Sequence, residues 1–467
     1  MSLALENGYG ERRIGRRRLL AAMGAGGAAA VAVAGLPAAA YAGPIDARVD
    51  PTDPESWRRL FVLDRDPLFM NVGTVGSPPR AVLQAEEQEL RLVAEQALSN
   101  YHGTFDDVRA QIAPGFGCDP DELFLSGNTT DGIGTVLAGL NLNAGDEIVT
   151  TNHEHPAVTT PLAILHNRRG VVVRRVAMPV GNQQRAEDYA SLFEAAITAR
   201  TKVLLFSAPI FRTGTMLPIR MLAELAQRHG LTSVVDGAHV PGLFAEEYRS
   251  LGVDFLAGSG GKWQCGPART GLLYLRNKVL PAYNPNPLPE FWPTISSSQL
   301  YPDAGLPART TTSVPTYDIG AVLQDQGNPS LAQITGLAQA CELWDTLGRR
   351  QIQDYAIGLA TRLKRAVAQR WGIGSLYCPV DDPRLLSALT AFNPFAAPAD
   401  VLDATKAATF VTRLHDEYRI TVRSTIVPVV GAPAPHNPIR VSTHLFHNAH
   451  DVDRFVESAW RLSRAMA

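Results

Sequence analysis

Val234-Val235-Asp236-Gly237-Ala238-His239, followed by Asp254-Phe255-Leu256-Ala257-Gly258-Ser259-Gly260-Gly261-Lys262-Trp263, decides how this chain reads. Each segment is a short apolar run that breaks into small residues. The first carries a carboxylate at its end, the second a lone lysine in a glycine- and serine-rich turn. Either feature alone is ordinary, because a strand-end Asp usually serves a turn and a Lys after glycines is usually solvated. Together they are more specific. In an open α/β sheet, ligands bind beyond the carboxyl ends of the strands, and both residues stand there.

Outward from this pair, Glu147–Thr150, Gly170–Val173, Lys202–Phe206, Leu231–Val235 and Thr270–Leu275 read as strands. They alternate with helical stretches, including a crossover helix over Ala186–Thr198 with Tyr189, Leu192, Ala195 and Ala196 on one face. The alternation predicts an α/β fold with a large, mostly parallel sheet covered on both faces. A Pro- and Ser-rich stretch from Pro281 to Pro315 reads as loops at a domain boundary, and Ser330–Arg370 resumes helical periodicity. The expected organisation is a leader over 1–42, an N-terminal segment over 43–75, a large domain over 76–315 and a smaller C-terminal α/β domain over 316–467. A chain of 467 residues suits two cores better than one.

The leader has Arg12, Arg13, Arg16, Arg17 and Arg18 before an apolar run from Leu19 to Leu36, closed by Ala40-Tyr41-Ala42. It reads as a twin-arginine export signal cleaved after Ala42, with the product in a periplasm or the medium. The alternative is a membrane anchor, but the run is rich in Ala and Gly and short of the roughly 20 strongly apolar residues of a span. A net charge of −2 with scattered basic residues gives no argument for nucleic acid. Cys118, Cys265, Cys341 and Cys378 have no metal-like spacing and read as free, buried thiols.

An amine and a carboxylate in one crevice are what pyridoxal-phosphate chemistry requires. The lysine forms a Schiff base with the aldehyde, and the carboxylate keeps the pyridine nitrogen protonated so that the ring accepts electrons. Ser126-Gly127-Asn128-Thr129-Thr130-Asp131 opens a helical run whose N-terminal N–H groups can face a phosphate, although the same residues make a plain cap. Asn152-His153-Glu154-His155 follows a strand, and no third ligand at a supporting spacing makes a metal site of its histidines. Arg440, in Pro438-Ile439-Arg440-Val441-Ser442-Thr443, offers the planar fork that suits a carboxylate.

These segments resemble the class V aminotransferase family of fold-type I pyridoxal-phosphate enzymes, in particular its isopenicillin N epimerase-like branch, related to cysteine desulfurases. The resemblance spans roughly Phe69 to the C-terminus. It implies that Lys262 holds the cofactor, that Asp236 pairs with the ring nitrogen, that His239 lies near the phenolic oxygen and that His155 stacks on the ring. It further implies phosphate ligands at Thr129, Thr130 and Ser259. Thr311, in Arg309–Pro315, would reach the phosphate of a neighbouring subunit, hence a homodimer. Arg440 would take the α-carboxylate of an amino-acid substrate, with Arg423 a second candidate, and Asn71 and Gly73 would line the pocket.

Two residues depart from the family pattern. Gly261 stands where His is common, and Phe211 where Asn or Ser bonds the ring oxygen. The loop from Ser424 to Asn437 has no cysteine, whereas desulfurases carry their persulfide there. The expected function is therefore epimerisation or racemisation at Cα. The alternatives are a C–S or other β-lyase, an aminotransferase, or a non-catalytic exported binding protein on the same fold.

Overall fold

The protein is represented by a computed structural model that describes residues 49–97, 102–276, 291, 294–297 and 319–467. The leader and Thr311 lie outside the described residues, as does most of the stretch from Pro281 to Pro315.

A seven-stranded sheet has the order β2-β8-β7-β6-β5-β3-β4. Its strands are β2 (Leu123–Phe124), β3 (Glu147–Thr151), β4 (Val172–Val176), β5 (Thr201–Ser207), β6 (Thr232–Gly237), β7 (Phe255–Ser259) and β8 (Gly271–Leu275). β3 to β7 run parallel, and β8 is antiparallel to both β7 and β2. β3, β6, β7 and β8 are buried at every residue, which their runs of Val, Leu, Ile and Phe permit. β4 lies at the edge, where Arg174 and Arg175 keep it from pairing further.

The crossovers are the helices α2 (Thr129–Gly139), α3 (Pro156–Arg169), α4 (Ala186–Glu194) and α5 (Ile219–Arg228), which follow an α1 at Arg80–Gln96. α4 stops four residues short of the expected Thr198. The Thr198 N–H instead donates to Thr201 Oγ1 at 2.9 Å, and its hydroxyl donates to buried Glu147 Oε2 at 2.7 Å, a local competition that ends a helix. β4 begins two residues later than expected, because Gly170 is spent on the αL cap of α3 at φ 70°.

The helical stretch after residue 330 divides at Gly348 (φ 86°) into α6 (Leu331–Leu347) and α7 (Arg349–Trp371). A second core follows. Leu363 and Val367 of α7, Phe410 and Leu414 of α8 (Ala404–Tyr418), and Val452 and Phe455 of α9 (Ala449–Ala465) pack on an antiparallel sheet of order β11-β12-β9. Its strands are β9 (Leu389–Phe392), β11 (Arg423–Ser424) and β12 (Ile439–Ser442). The N-terminal β1 (Leu68–Phe69) pairs in parallel with β10 (Ile420–Thr421) beside that core. Two-residue strands carry no period, so the sequence showed only an unassigned segment there.

From β1 the chain runs to Gly76, whose N–H donates to Gly261 O at 2.9 Å and so pins the N-terminal segment to the lysine turn. A Cβ on Gly76 would lie 2.0 Å from Lys262 O. Gly76→Ala is expected to lower stability by about 1–3 kcal/mol, whereas Gly358→Ala, on an exposed face of α7 with nothing within 4 Å, is expected to raise it by about 0.5–1 kcal/mol. Urea midpoints of the two variants measure the contrast.

Candidate active site

Beyond the carboxyl ends of β3, β5, β6 and β7 lies a cavity of about 230 Å³, and Lys262 and Asp236 are both on its wall. Asp236 is the penultimate residue of β6, pointing out of the sheet end, and its Oδ1 accepts from Ala238 N at 3.1 Å. Lys262 follows β7 in a turn closed by Cys265 N donating to Lys262 O at 3.1 Å. Burial pushes the Lys262 ammonium down to about 8. Asp236 opposes that shift, while Arg440 and Arg423 add to it. Burial raises the Asp236 carboxyl, and Lys262 partly offsets this. A protonated ring nitrogen is the kind of cation that would keep such a carboxylate ionised.

Two buried polar atoms on this wall have no partner among the described residues: Thr129 Oγ1 and His239 Nε2. His239 Nδ1 accepts from Trp263 Nε1 at 2.9 Å, so its proton sits on Nε2 as an unused donor. Burial, then Lys262, holds this imidazole well below its ordinary range and therefore neutral. Thr129 begins α2, capped by Asn128 Oδ1, which accepts from Asp131 N at 2.9 Å. The first N–H groups of the helix and the Thr129 hydroxyl form an anion cradle, with Thr130 and Ser259 also on the cavity wall. An amine, a buried carboxylate, an orphaned N–H and this cradle fit pyridoxal phosphate group by group. Lys262 would bind its aldehyde, Asp236 its ring nitrogen, His239 its phenolic oxygen, and Thr129, Thr130 and Ser259 its phosphate.

His155 caps α3, its Nδ1 accepting from Ala157 N at 3.1 Å, and burial followed by Lys262 pushes its pKa down to about 4. The Phe211 ring meets His155 edge-on at 4.8 Å, so the residue that forgoes a hydrogen bond to the cofactor instead fixes the imidazole plane. The other departure also has a local cause, since a Cβ on Gly261 would come within 3.2 Å of Pro267 O. His153 lies apart from the cavity wall, its Nε2 on Pro428 O at 2.8 Å, holding the loop that follows β11. Behind His155, buried Glu154 accepts from Thr151 Oγ1 at 2.6 Å and Ser207 Oγ at 2.5 Å. Burial raises it to about 7.

Arg440 reaches the cavity from β12. Its Nη1 donates to Phe211 O at 3.0 Å and its Nη2 to Thr74 Oγ1 at 2.9 Å, with Asn71 Oδ1 at 3.5 Å. Gly73 leaves room for it, because a Cβ there would lie 3.3 Å from Arg440 Nη2 and 2.7 Å from Leu389 Cδ2. Arg423 stands directly opposite Arg440 on β11 and also donates to Thr74 Oγ1, at 3.4 Å. The sequence reading missed Thr74 and Glu154. Their only signal was position, one beside Gly73 and the other beside His155. All four cysteines are buried and unpaired, with Cys118 pushed up to about 12 and Cys341 to about 11 by burial.

The lowered ammonium has a kinetic consequence. Only the neutral amine attacks an aldehyde, so uptake of pyridoxal phosphate by apoprotein is expected to speed up as pH rises through about 8, not through the ordinary lysine range near about 10.4. Stopped-flow absorbance across pH 6–10 reads the midpoint.

Comparison with known proteins gives the family. Residues 73–455 match the model of the family described as aminotransferase class-V. The isopenicillin N epimerase of Amycolatopsis lactamdurans is 27% identical over 421 residues, covering 87% of this chain and 98% of the epimerase. A cysteine desulfurase of Salmonella dublin is 28% identical over 355 residues, covering 74% of this chain and 79% of the desulfurase. Among solved structures, the cystine C-S lyase C-DES with its product cysteine persulfide superposes with a TM-score of 0.68 at 23% identity, covering 85% of this chain and 98% of that one. The apo cysteine desulfurase of Thermococcus onnurineus superposes with a TM-score of 0.69 at 20% identity, covering 88% and 98%. These last two speak for the fold. With its family model matched over most of its length and a lysine, a carboxylate and an anion cradle converging on one cavity, the chain belongs to the class V aminotransferase family of pyridoxal-phosphate enzymes.

Proposed function

We propose that this chain moves a proton at Cα of an amino acid, inverting the centre as an epimerase or racemase. The observation that carries the reading is the composition of the cavity wall, which holds an amine of lowered pKa and a carboxylate-binding arginine, with every cysteine of the chain buried. Pyridoxal phosphate, when bound, supplies an aldehyde that links to the amino group and a ring that delocalises the electron pair left at Cα.

The chain's own residues do the rest. Arg440 fixes the α-carboxylate through its fork, which sets the direction of the Cα–H bond. Lys262, no longer engaged once substrate is linked, is a base whose lowered pKa matches proton removal near neutral pH. His155 stays neutral with Nδ1 occupied, so it holds position and supplies no proton. Lys262 is thus suited to taking the proton from the face of Cα that it occupies, and inversion requires a proton to be returned on the opposite face, from solvent or from a second group. Sulfur transfer of the desulfurase kind is disfavoured, since it needs an accessible thiolate and the segment 424–437 has no cysteine. The reading includes export through the arginine-rich leader and a homodimer, supported by the sequence of 12–42 and of 309–315.

Incubation of the holoenzyme with a panel of amino acids in deuterium oxide tests this. Deuterium at Cα in both enantiomers without keto acid is expected, and Lys262→Ala should cut the exchange by about 10²–10⁴-fold. Keto acid, sulfide or ammonia formed without racemised product contradicts inversion and points to a transaminase or lyase.

A further inference from the structure

Arg423 and Arg440 are paired across β11 and β12, facing neighbours in the ladder, where like charges are unfavourable. Every hydrogen-bond partner of the two guanidinium groups among the described residues is neutral: the carbonyls of Phe211 and Ser424, the Asn71 amide oxygen and the Thr74 hydroxyl. No carboxylate compensates either charge there. Arg440 is 2% exposed, and its burial together with Arg423 pulls its pKa down to about 9, the sign of a cation waiting for an anion.

Both forks converge on one atom. Thr74 Oγ1 accepts from Arg440 Nη2 at 2.9 Å and from Arg423 Nη1 at 3.4 Å, and passes its own proton to Asn71 Oδ1 at 2.8 Å. One hydroxyl therefore occupies the acceptors' place between two positive groups. The two forks do not open the same way. Arg440 faces the inner cavity with Lys262. Arg423 and Thr74 stand on the wall of that cavity and also of an outer hollow of about 370 Å³, lined besides by Asn71, Thr412 and Ser424.

We propose that the substrate carries two carboxylates, the α-carboxylate held by Arg440 and a second, side-chain carboxylate held by Arg423 toward the outer hollow. The substrate class is then the acidic amino acids, of the size of aspartate or glutamate. This rests on the reading of the cavity as an amino-acid site and adds the specificity determinant: Arg423 selects the side chain, and Thr74 spaces the two forks.

Unreactive acids separate this from the reaction itself. Calorimetric titration of the holoenzyme with glutarate and with butyrate compares two carboxylates with one, and neither ligand has an amine to react. Glutarate is expected to bind about tenfold or more tightly than butyrate, as one added charge-assisted contact provides. Arg423→Gln should bring the ratio toward one, and Arg423→Lys should restore part of it. Equal affinities in the wild type, or no measurable glutarate binding, overturn the proposal without need of any variant. An Arg423→Gln protein that loses both ligands in equal proportion overturns it too, by assigning both arginines to a single carboxylate. If the deuterium exchange above fails while glutarate selectivity holds, the reaction is misread and the acidic-substrate site stands.

Discussion

A lysine amine held out of water beside a buried carboxylate is the constraint around which the rest of this structure is arranged. Burial alone would drive Lys262 neutral and Asp236 protonated, and each charge limits that shift in the other. The surroundings of the pair are closely packed and hydrogen-bonded. Lys262 sits in a turn whose backbone is packed against Gly76 and stitched by Cys265 N–H, and the next residue, Trp263, donates to His239 on the neighbouring segment. Gly242, at φ 81°, belongs to the same knot, since a Cβ there would fall 2.1 Å from Gln264 N. Small residues around the lysine are therefore packing requirements of the turn.

The cavity is assembled from two cores. The large parallel sheet provides the amine, the carboxylate, the imidazoles and the anion cradle at one end of its strands. β12 of the second core provides Arg440, and the segment leading from β1 provides Gly73 and Thr74, whereas Asn71, expected from the sequence to line this pocket, lies on the outer hollow behind Thr74. Ser442 Oγ, which accepts from Gly73 N at 3.2 Å and donates to Met70 O at 3.1 Å, ties that segment to β12. The arginine that would orient substrate and the loop that spaces it are thus tied to each other, while the cofactor-binding groups belong to the other core.

Asp236 and Lys262 were legible in the sequence because strand ends are marked by composition: a β-branched run breaking into Gly, Ala and Ser leaves few places for a functional side chain other than the sheet's carboxyl edge. The sheet itself was legible for the same reason, including Phe255–Ser259 as the strand before the lysine turn, apart from strands of two residues. What was not legible arises from contacts between segments distant in the chain. Phe211 looked like a lost hydrogen bond and is a wedge on His155. Gly261 looked like a departure from the family's His and is crowded by Pro267 O. Thr74 gave no signal beyond its place beside Gly73, since its importance lies in two arginines more than 300 positions away. Spacing within a segment encodes local structure, and these are facts of packing.

The central claim is that one particular amine captures an aldehyde cofactor. Among the described residues, Lys364 is another lysine whose pKa burial lowers, but its Nζ donates to Ser387 O at 3.0 Å within the core, away from the cavity. Borohydride reduction of the purified protein loaded with pyridoxal phosphate, followed by peptide mass spectrometry, distinguishes the two. The account predicts a single reduced adduct on the peptide containing Lys262. An adduct on Lys364 or another lysine, or none at all, would contradict it.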